Sequence, residues 1–130
     1  MKTILIIDDE EGFCSLVKEN LEMGGKYSVI HEVSGKSGLR AAESRNPDLI
    51  LLDVMMDDMD GLEVLKRLKE SRRTMSIPVI MLSAQSAERV KKEAASLYNE
   101  DYITKPVSMA TLKARVEDLL SRISPTADGG

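Results

Sequence analysis

Leu49-Ile50-Leu51-Leu52-Asp53 is an unbroken apolar run closed by an acid. A strand with one wet face alternates apolar and polar residues. One covered on both faces does not, and such continuous runs mark the central strands of parallel sheets. Ile4-Leu5-Ile6-Ile7 and Val79-Ile80-Met81-Leu82 read the same way. With the less regular runs after Tyr27 and Asp101, strands are expected at residues 3–7, 27–33, 48–52, 78–82 and 101–104.

Helical spacing fills the gaps. Phe13, Leu16, Val17 and Leu21 recur at that period, as do Leu62, Leu65 and Leu68, and then Met109, Leu112, Val116, Leu119 and Ile123. These sets predict the inner faces of amphipathic helices. Gly24-Gly25 and Asn46-Pro47 supply stops, and Ser108 is placed to cap the last helix. The stretch from Ala87 to Leu97 has a thinner apolar face, chiefly Val90, Ala94 and Leu97, and is expected to be the least firmly packed. Short strands alternating with longer helices predict an α/β fold around a parallel sheet.

Composition narrows the function. At 130 residues, 42% hydrophobic and 31% charged, the chain has the usage of one compact domain. A net charge of -4 with scattered Lys and Arg offers no basic stripe, so direct nucleic-acid binding is not expected. Cys14 has no partner for an internal disulfide and reads as a small buried hydrophobe in a reducing compartment. No segment approaches the roughly 20 apolar residues of a membrane span, and the first residues lack a signal peptide's pattern, so a cytoplasmic location is the expectation. The polar end, residues 124–130, reads as a disordered tail or linker after a domain at residues 1–123. Most of the eight Met residues fall in apolar patterns and are expected to fill the core. His31, the only histidine, supports neither a multi-ligand zinc site nor a catalytic triad, and a satisfied strand residue is expected. Gly35-Lys36-Ser37 imitates the end of a phosphate-binding loop, but Ile30 stands where the earlier glycine is required, so that motif is rejected.

In an open parallel sheet, ligands sit beyond the carboxyl ends of the strands, so the residues that follow each run carry the chemistry. They are Asp8-Asp9-Glu10-Glu11, Asp53, Ser83-Ala84 and Thr104-Lys105-Pro106. If the first strand lies beside the third, Asp8, Asp9 and Asp53 converge, and such a cluster stays ionised only with a compensating charge. All-oxygen ligands of high charge suit Mg²⁺. A carboxylate attacking phosphorus needs its repulsion lowered, and Lys105 and the Ser83 hydroxyl are suited to a phosphoryl group's oxygens.

Taken in order, Ile6-Ile7-Asp8-Asp9-Glu10, Leu51-Leu52-Asp53-Val54-Met55-Met56, Met59-Asp60-Gly61, Ile80-Met81-Leu82-Ser83-Ala84 and Asp101-Tyr102-Ile103-Thr104-Lys105-Pro106 resemble the receiver domain of two-component response regulators. The resemblance implies a doubly wound five-stranded sheet of flavodoxin-like topology, order 2-1-3-4-5, with helices on both faces. It implies that Asp53 accepts a phosphoryl group from a sensor histidine kinase, a phosphotransfer protein or a small phosphodonor. It further implies Mg²⁺ bound directly by Asp9, Asp53 and the Met55 carbonyl and largely through water by Asp8, and phosphoryl contacts from Ser83, Ala84 and Lys105. Ser83 and Tyr102 would be switch residues, and the Lys105-Pro106 bond would be cis. The chain would then be a signalling switch that promotes its own aspartyl phosphorylation and dephosphorylation, rather than a conventional enzyme. Its downstream partner, a protein or an output domain, would meet the face formed by the stretch from Ala87 to Leu97, Tyr102 and residues 109–123.

Three features depart from or qualify the pattern. Asp57 stands where the family usually has Pro, and Asn99 must serve near the end of the Ala87 helix where Gly is favoured. Met55 and Gln85 occupy positions that influence phosphoaspartate hydrolysis in the family, and an apolar Met55 implies slow self-dephosphorylation. The competing readings are a constitutive docking module and a phosphate-transferring enzyme with an Asp nucleophile.

Overall fold

The computed structural model describes residues 1–84 and 101–123. Expectations about the Ala87–Leu97 stretch, Gln85, Asn99 and the polar tail lie outside these residues. Five strands form one parallel sheet in the order β2-β1-β3-β4-β5: β1 Lys2–Ile7, β2 Tyr27–Glu32, β3 Leu49–Asp53, β4 Val79–Ala84 and β5 Asp101–Lys105. The sequence places each of them to within two residues. Four helices occupy the described residues: α1 Glu11–Glu22, α2 Gly35–Arg45, α3 Gly61–Glu70 and α4 Met109–Ile123.

The unbroken apolar runs are buried because each strand sends successive side chains to opposite faces and both faces are covered. Ile4, Ile6, Leu49, Leu51, Ile80 and Leu82 pack with Cys14, Val17 and Leu21 of α1 and with Leu112, Val116 and Leu120 of α4. Leu5, Ile7, Ile50, Leu52, Val79 and Met81 face the other way, onto Ala41 and Ala42 of α2 and Val64, Leu65 and Leu68 of α3. The register pairs Ile7 with Leu52 and Asp53 with Leu82, so the first, third and fourth strands end side by side.

The helix boundaries follow their signals. α1 ends at Gly24-Gly25, both at positive φ, and α2 ends at Asn46 in the left-handed region. The Ser108 Oγ accepts from the Thr111 N–H at 3.0 Å, capping α4.

Four expectations need correction. Leu16 is 47% exposed, and Cys14 takes its place in the buried stripe. Leu16 sits about 100° around the helix from Val17, which carries it off the Cys14-Val17-Leu21 face. In α4 it is Leu120 that is fully packed, while Leu119 is only partly buried. The methionines are not chiefly core: Met1, Met23, Met55 and Met75 are exposed, and only Met81 is among the fully buried residues described. His31 is not fully satisfied, because its Nε2 is buried without a hydrogen-bond partner among the described residues.

Candidate functional site

The acids at the strand ends are drawn into the protein by the backbone that carries them. The ladder runs on past the apolar residues, with Asp8 N–H donating to Glu32 O at 3.0 Å and Val54 N–H to Leu82 O at 2.9 Å. Asp8 is fully buried and Asp53 only 6% exposed, whereas Asp9 is exposed. One carboxylate oxygen from each of the three lies within 4.8 Å of the others. This convergence rests on β1 lying beside β3.

Charges crowded this way alter one another. The Asp53 carboxyl is pushed up to about 7, first by burial and next by repulsion from Asp8, although Lys105 and the Met55 N–H oppose the rise. That N–H donates to Asp53 Oδ1 at 3.3 Å. Asp8 is better supplied, since its Oδ1 accepts the Glu10 N–H at 2.9 Å and its Oδ2 accepts from Lys105 Nζ at 2.9 Å. Three hard oxygen donors in a net-negative pocket suit a hard divalent cation, which would relieve the repulsion that raises Asp53.

Lys105 reaches this crevice from the far edge of the sheet. Its Nζ donates to Asp8 and to Glu10 Oε1 at 2.8 Å, lies 4.0 Å from Asp53 Oδ1, and sits 4.5 Å from the centre of the Phe13 ring. Burial alone would lower the ammonium's pKa. The hydrogen bonds to Glu10 and Asp8 more than offset it, so the pKa is raised and the charge retained. The bond from Lys105 to Pro106 is cis.

Ser83 follows the Leu82 that pairs with Asp53, and its Oγ is fully buried with no hydrogen-bond partner among the described residues. An orphaned buried hydroxyl is costly, and it stands one residue beyond the acceptor's register on the neighbouring strand. Ala84 pairs with Lys105 across the last two strands. Tyr102 stays half exposed on β5, opposite Met81. The Asp8, Asp9, Asp53 and Lys105 side chains are thus gathered at one point, and Ser83 is aligned with it by register.

The contacts that several residues make around the site were not legible in the sequence. Glu10 and Phe13 hold Lys105 but are 95 and 92 residues away in the chain, so no spacing signals them. Cys14 lies against the pocket floor, its Sγ donating to Asp8 O at 3.4 Å. Burial, followed by repulsion from Asp8, pushes this thiol up to about 12, which makes it inert. Gly61 packs directly on the acceptor's backbone, where any Cβ would collide with Asp53 O and Val54 Cα, so the turn after β3 admits only glycine there.

Known proteins share this fold. Residues 4–117 match the family described as response regulator receiver domain. The alkaline phosphatase synthesis transcriptional regulatory protein PhoP of Bacillus subtilis (strain 168) is 42% identical over 121 residues, 93% of this chain and 49% of that protein. The phosphate regulon transcriptional regulatory protein PhoB of Pseudomonas aeruginosa is 40% identical over 95% of this chain and 54% of its own length. The chain therefore spans about half the length of these curated relatives. Among solved structures, the Francisella response regulator 1452 receiver domain superposes with a TM-score of 0.83 at 32% identity, covering 94% of this chain and 98% of that one. A CheY-like response regulator receiver domain from Methanospirillum hungatei JF-1 gives 0.85 at 27% identity, covering 94% and 95%. The family match over residues 4–117, together with relatives more than 30% identical across nearly all of this chain, shows that the chain belongs to the receiver domains of two-component response regulators.

Proposed function

We propose that this receiver domain is a phosphorylation-dependent switch in which Asp53 is the phosphoryl acceptor. What supports the assignment is the meeting of three carboxylate oxygens within 4.8 Å, with the Lys105 ammonium 4.0 Å from Asp53 Oδ1. Asp8, Asp9, Asp53 and the Met55 carbonyl would hold Mg²⁺. When bound, the ion supplies charge neutralisation that lets an anionic carboxylate approach an anionic phosphoryl group.

The chain's own groups perform the rest. An Asp53 oxygen attacks phosphorus and forms the P–O bond as the P–N bond to a donor imidazole breaks, the electron pair leaving with the imidazole. Lys105 would exchange its bonds to Glu10 and Asp8 for the new phosphoryl oxygens, and the unpartnered Ser83 hydroxyl would donate to one of them. The Ala84 backbone would supply a further contact. Exchange at Lys105 and Ser83 biases a two-state element, with Tyr102 on β5 as the side chain that changes rotamer. The apolar Met55 side chain orients no attacking water, so the phosphoform would be long-lived.

The donor would be a sensor histidine kinase, a phosphotransfer protein or a small phosphodonor in the cytoplasm. The readout would be a partner protein or output domain on the face of residues 87–97, Tyr102 and α4, without direct nucleic-acid contact by this domain. In this role the chain alters only its own phosphorylation state and is not a conventional enzyme. Among the described residues no helix is long and apolar enough to cross a membrane.

Intact mass after incubation with Mg²⁺ and acetyl phosphate tests the reading. One phosphoryl increment, absent in Asp53→Asn, is expected. An increment that persists in the variant removes Asp53 as acceptor, and no increment in either protein favours a constitutive docking module.

A further inference from the structure

The loop that leaves Asp53 is tied down by a residue with no assigned role. α2 begins at Gly35, and like every helix it opens with backbone N–H groups that have no partner within the helix. Ser34 caps conventionally, its Oγ accepting from the Ser37 N–H at 3.1 Å. The two amides before that are taken by a residue from elsewhere. Gly35 N–H donates to Asp58 Oδ1 at 2.8 Å and Lys36 N–H to Asp58 Oδ2 at 3.2 Å. One carboxylate thus closes the helix end, in the position where the helix dipole favours an anion. The Asp58 carboxyl is lowered, chiefly by the Gly35 bond.

This close approach is built into the packing. A Cβ on Gly35 would lie 2.8 Å from Met59 Cβ and 3.0 Å from Val64 Cγ2, so the loop can seat on α2 only because residue 35 is glycine. The Gly35-Lys36-Ser37 triplet rejected as a phosphate loop therefore does bind an anion, the chain's own. At its far end the loop is pinned by Gly61 N–H donating to Val54 O at 2.8 Å. Between these two anchors run Met55, Met56 and Asp57, and the Met55 N–H donates to Asp53 Oδ1. Asp57 has no ring to restrict its backbone, so the segment has more freedom to lose than one carrying a proline.

Resting on the reading of Asp53 as the centre of the pocket, we infer that Asp58 is a positioning residue: by clamping the 54–60 loop to the N-terminus of α2, it holds the Met55 backbone against Asp53 and preorganises the pocket for its cation. Removing the clamp leaves Asp8, Asp9 and Asp53 intact but loosens the backbone beside them.

The test is amide hydrogen exchange and a Mg²⁺ titration followed by backbone amide shifts, on the whole chain without phosphodonor, for the unaltered protein, Asp58→Ala, Asp58→Asn and Asp57→Ala. In Asp58→Ala, exchange at Gly35, Lys36 and Met55 is expected to quicken roughly tenfold, and the half-saturating Mg²⁺ concentration to rise about three- to tenfold. Asp58→Asn retains one acceptor oxygen and is expected to recover part of both effects. Asp57→Ala removes the same charge without a clamp and should stay within about twofold of the unaltered protein.

Unchanged exchange at Gly35 and Lys36 in Asp58→Ala overturns the clamp. Freed α2 amides with Met55 exchange and Mg²⁺ affinity unmoved overturn the positioning role, as does an equal affinity loss in Asp57→Ala. If Asp58→Ala does not fold, Asp58→Asn decides by the same readouts. An unaltered protein that shows no Mg²⁺-dependent shift overturns the reading of the pocket itself, and the inference with it.

Discussion

Glu22 and Asp53 are both acids at the ends of elements, and the protein treats them in opposite ways. Glu22 Oε2 accepts from Lys18 Nζ and from the Val29 N–H, each at 2.9 Å, while Lys18 also donates to Val29 O, so helix α1 and strand β2 are joined by a closed set of bonds. The Val29 bond first, then the Lys18 bond, lower the Glu22 carboxyl. Asp53 has one backbone donor at 3.3 Å and an ammonium at 4.0 Å that is committed to Asp8 and Glu10. Its carboxyl rises to about 7. At Glu22 folding satisfies the charge. At Asp53 it crowds and dries the charge, and leaves the compensation to something that arrives later.

The contrast predicts pH dependences of opposite sign. Asp53 has its pKa raised from 3.8 to about 7, so the folded protein holds this proton more tightly than the unfolded chain. Its contribution is therefore complete below about pH 4 and is lost as pH rises through 7. Asp53→Asn is expected to raise stability by roughly 2 kcal/mol at pH 8 in Mg²⁺-free buffer, with the gain fading by pH 4. Urea unfolding across that range, with and without Mg²⁺, checks it, and a gain independent of pH would break the comparison.

Two buried hydroxyls sharpen the point at intermediate size. Thr74 Oγ1 donates to Leu68 O in the buried turn after α3, whereas Ser83 Oγ is buried with no partner among the described residues. Thr74→Val is expected to cost about 1–2 kcal/mol, and Ser83→Ala to be neutral or slightly stabilising while impairing phosphorylation. Chemical denaturation of both variants measures the difference, and a Ser83→Ala loss equal to that of Thr74→Val would contradict an orphaned hydroxyl.

The smallest effect is at Glu22 itself. Its lowered carboxyl contributes stability above its ordinary value of 4.5, and that contribution is lost as pH falls through the folded value. Because the pair is solvent-screened, Glu22→Gln should cost only about 0.5 kcal/mol at pH 7 and less at pH 3. Matched denaturation curves at the two pH values would show it.

How legible these features were depended on how local their causes are. The runs at Ile4, Leu49 and Val79 announced buried strands, and the polar residues that close them announced the crevice, because strand burial is written into consecutive residues. Leu16 was placed on the wrong face, and Leu120 was not recognised as more fully buried than Leu119, for a related reason. A helix face is defined by rotation, and a neighbour about 100° away can belong to either edge of the stripe until the sheet it packs on is known. The exposed Met23, Met55 and Met75 show that an apolar side chain does not declare its own burial.

From the residues alone came the α/β alternation, the three central strands and the types of group at the crevice, all fixed by short-range periodicity and by the rule that ligands gather at strand ends. Tertiary structure decided which of those groups meet. Lys105 finds Asp8 and Glu10 across 97 and 95 residues, and Asp58 finds the amides of Gly35 and Lys36 across 23 and 22. Such pairings depend on strand order and on how closely one backbone can approach another, and distance along the chain carries no record of either.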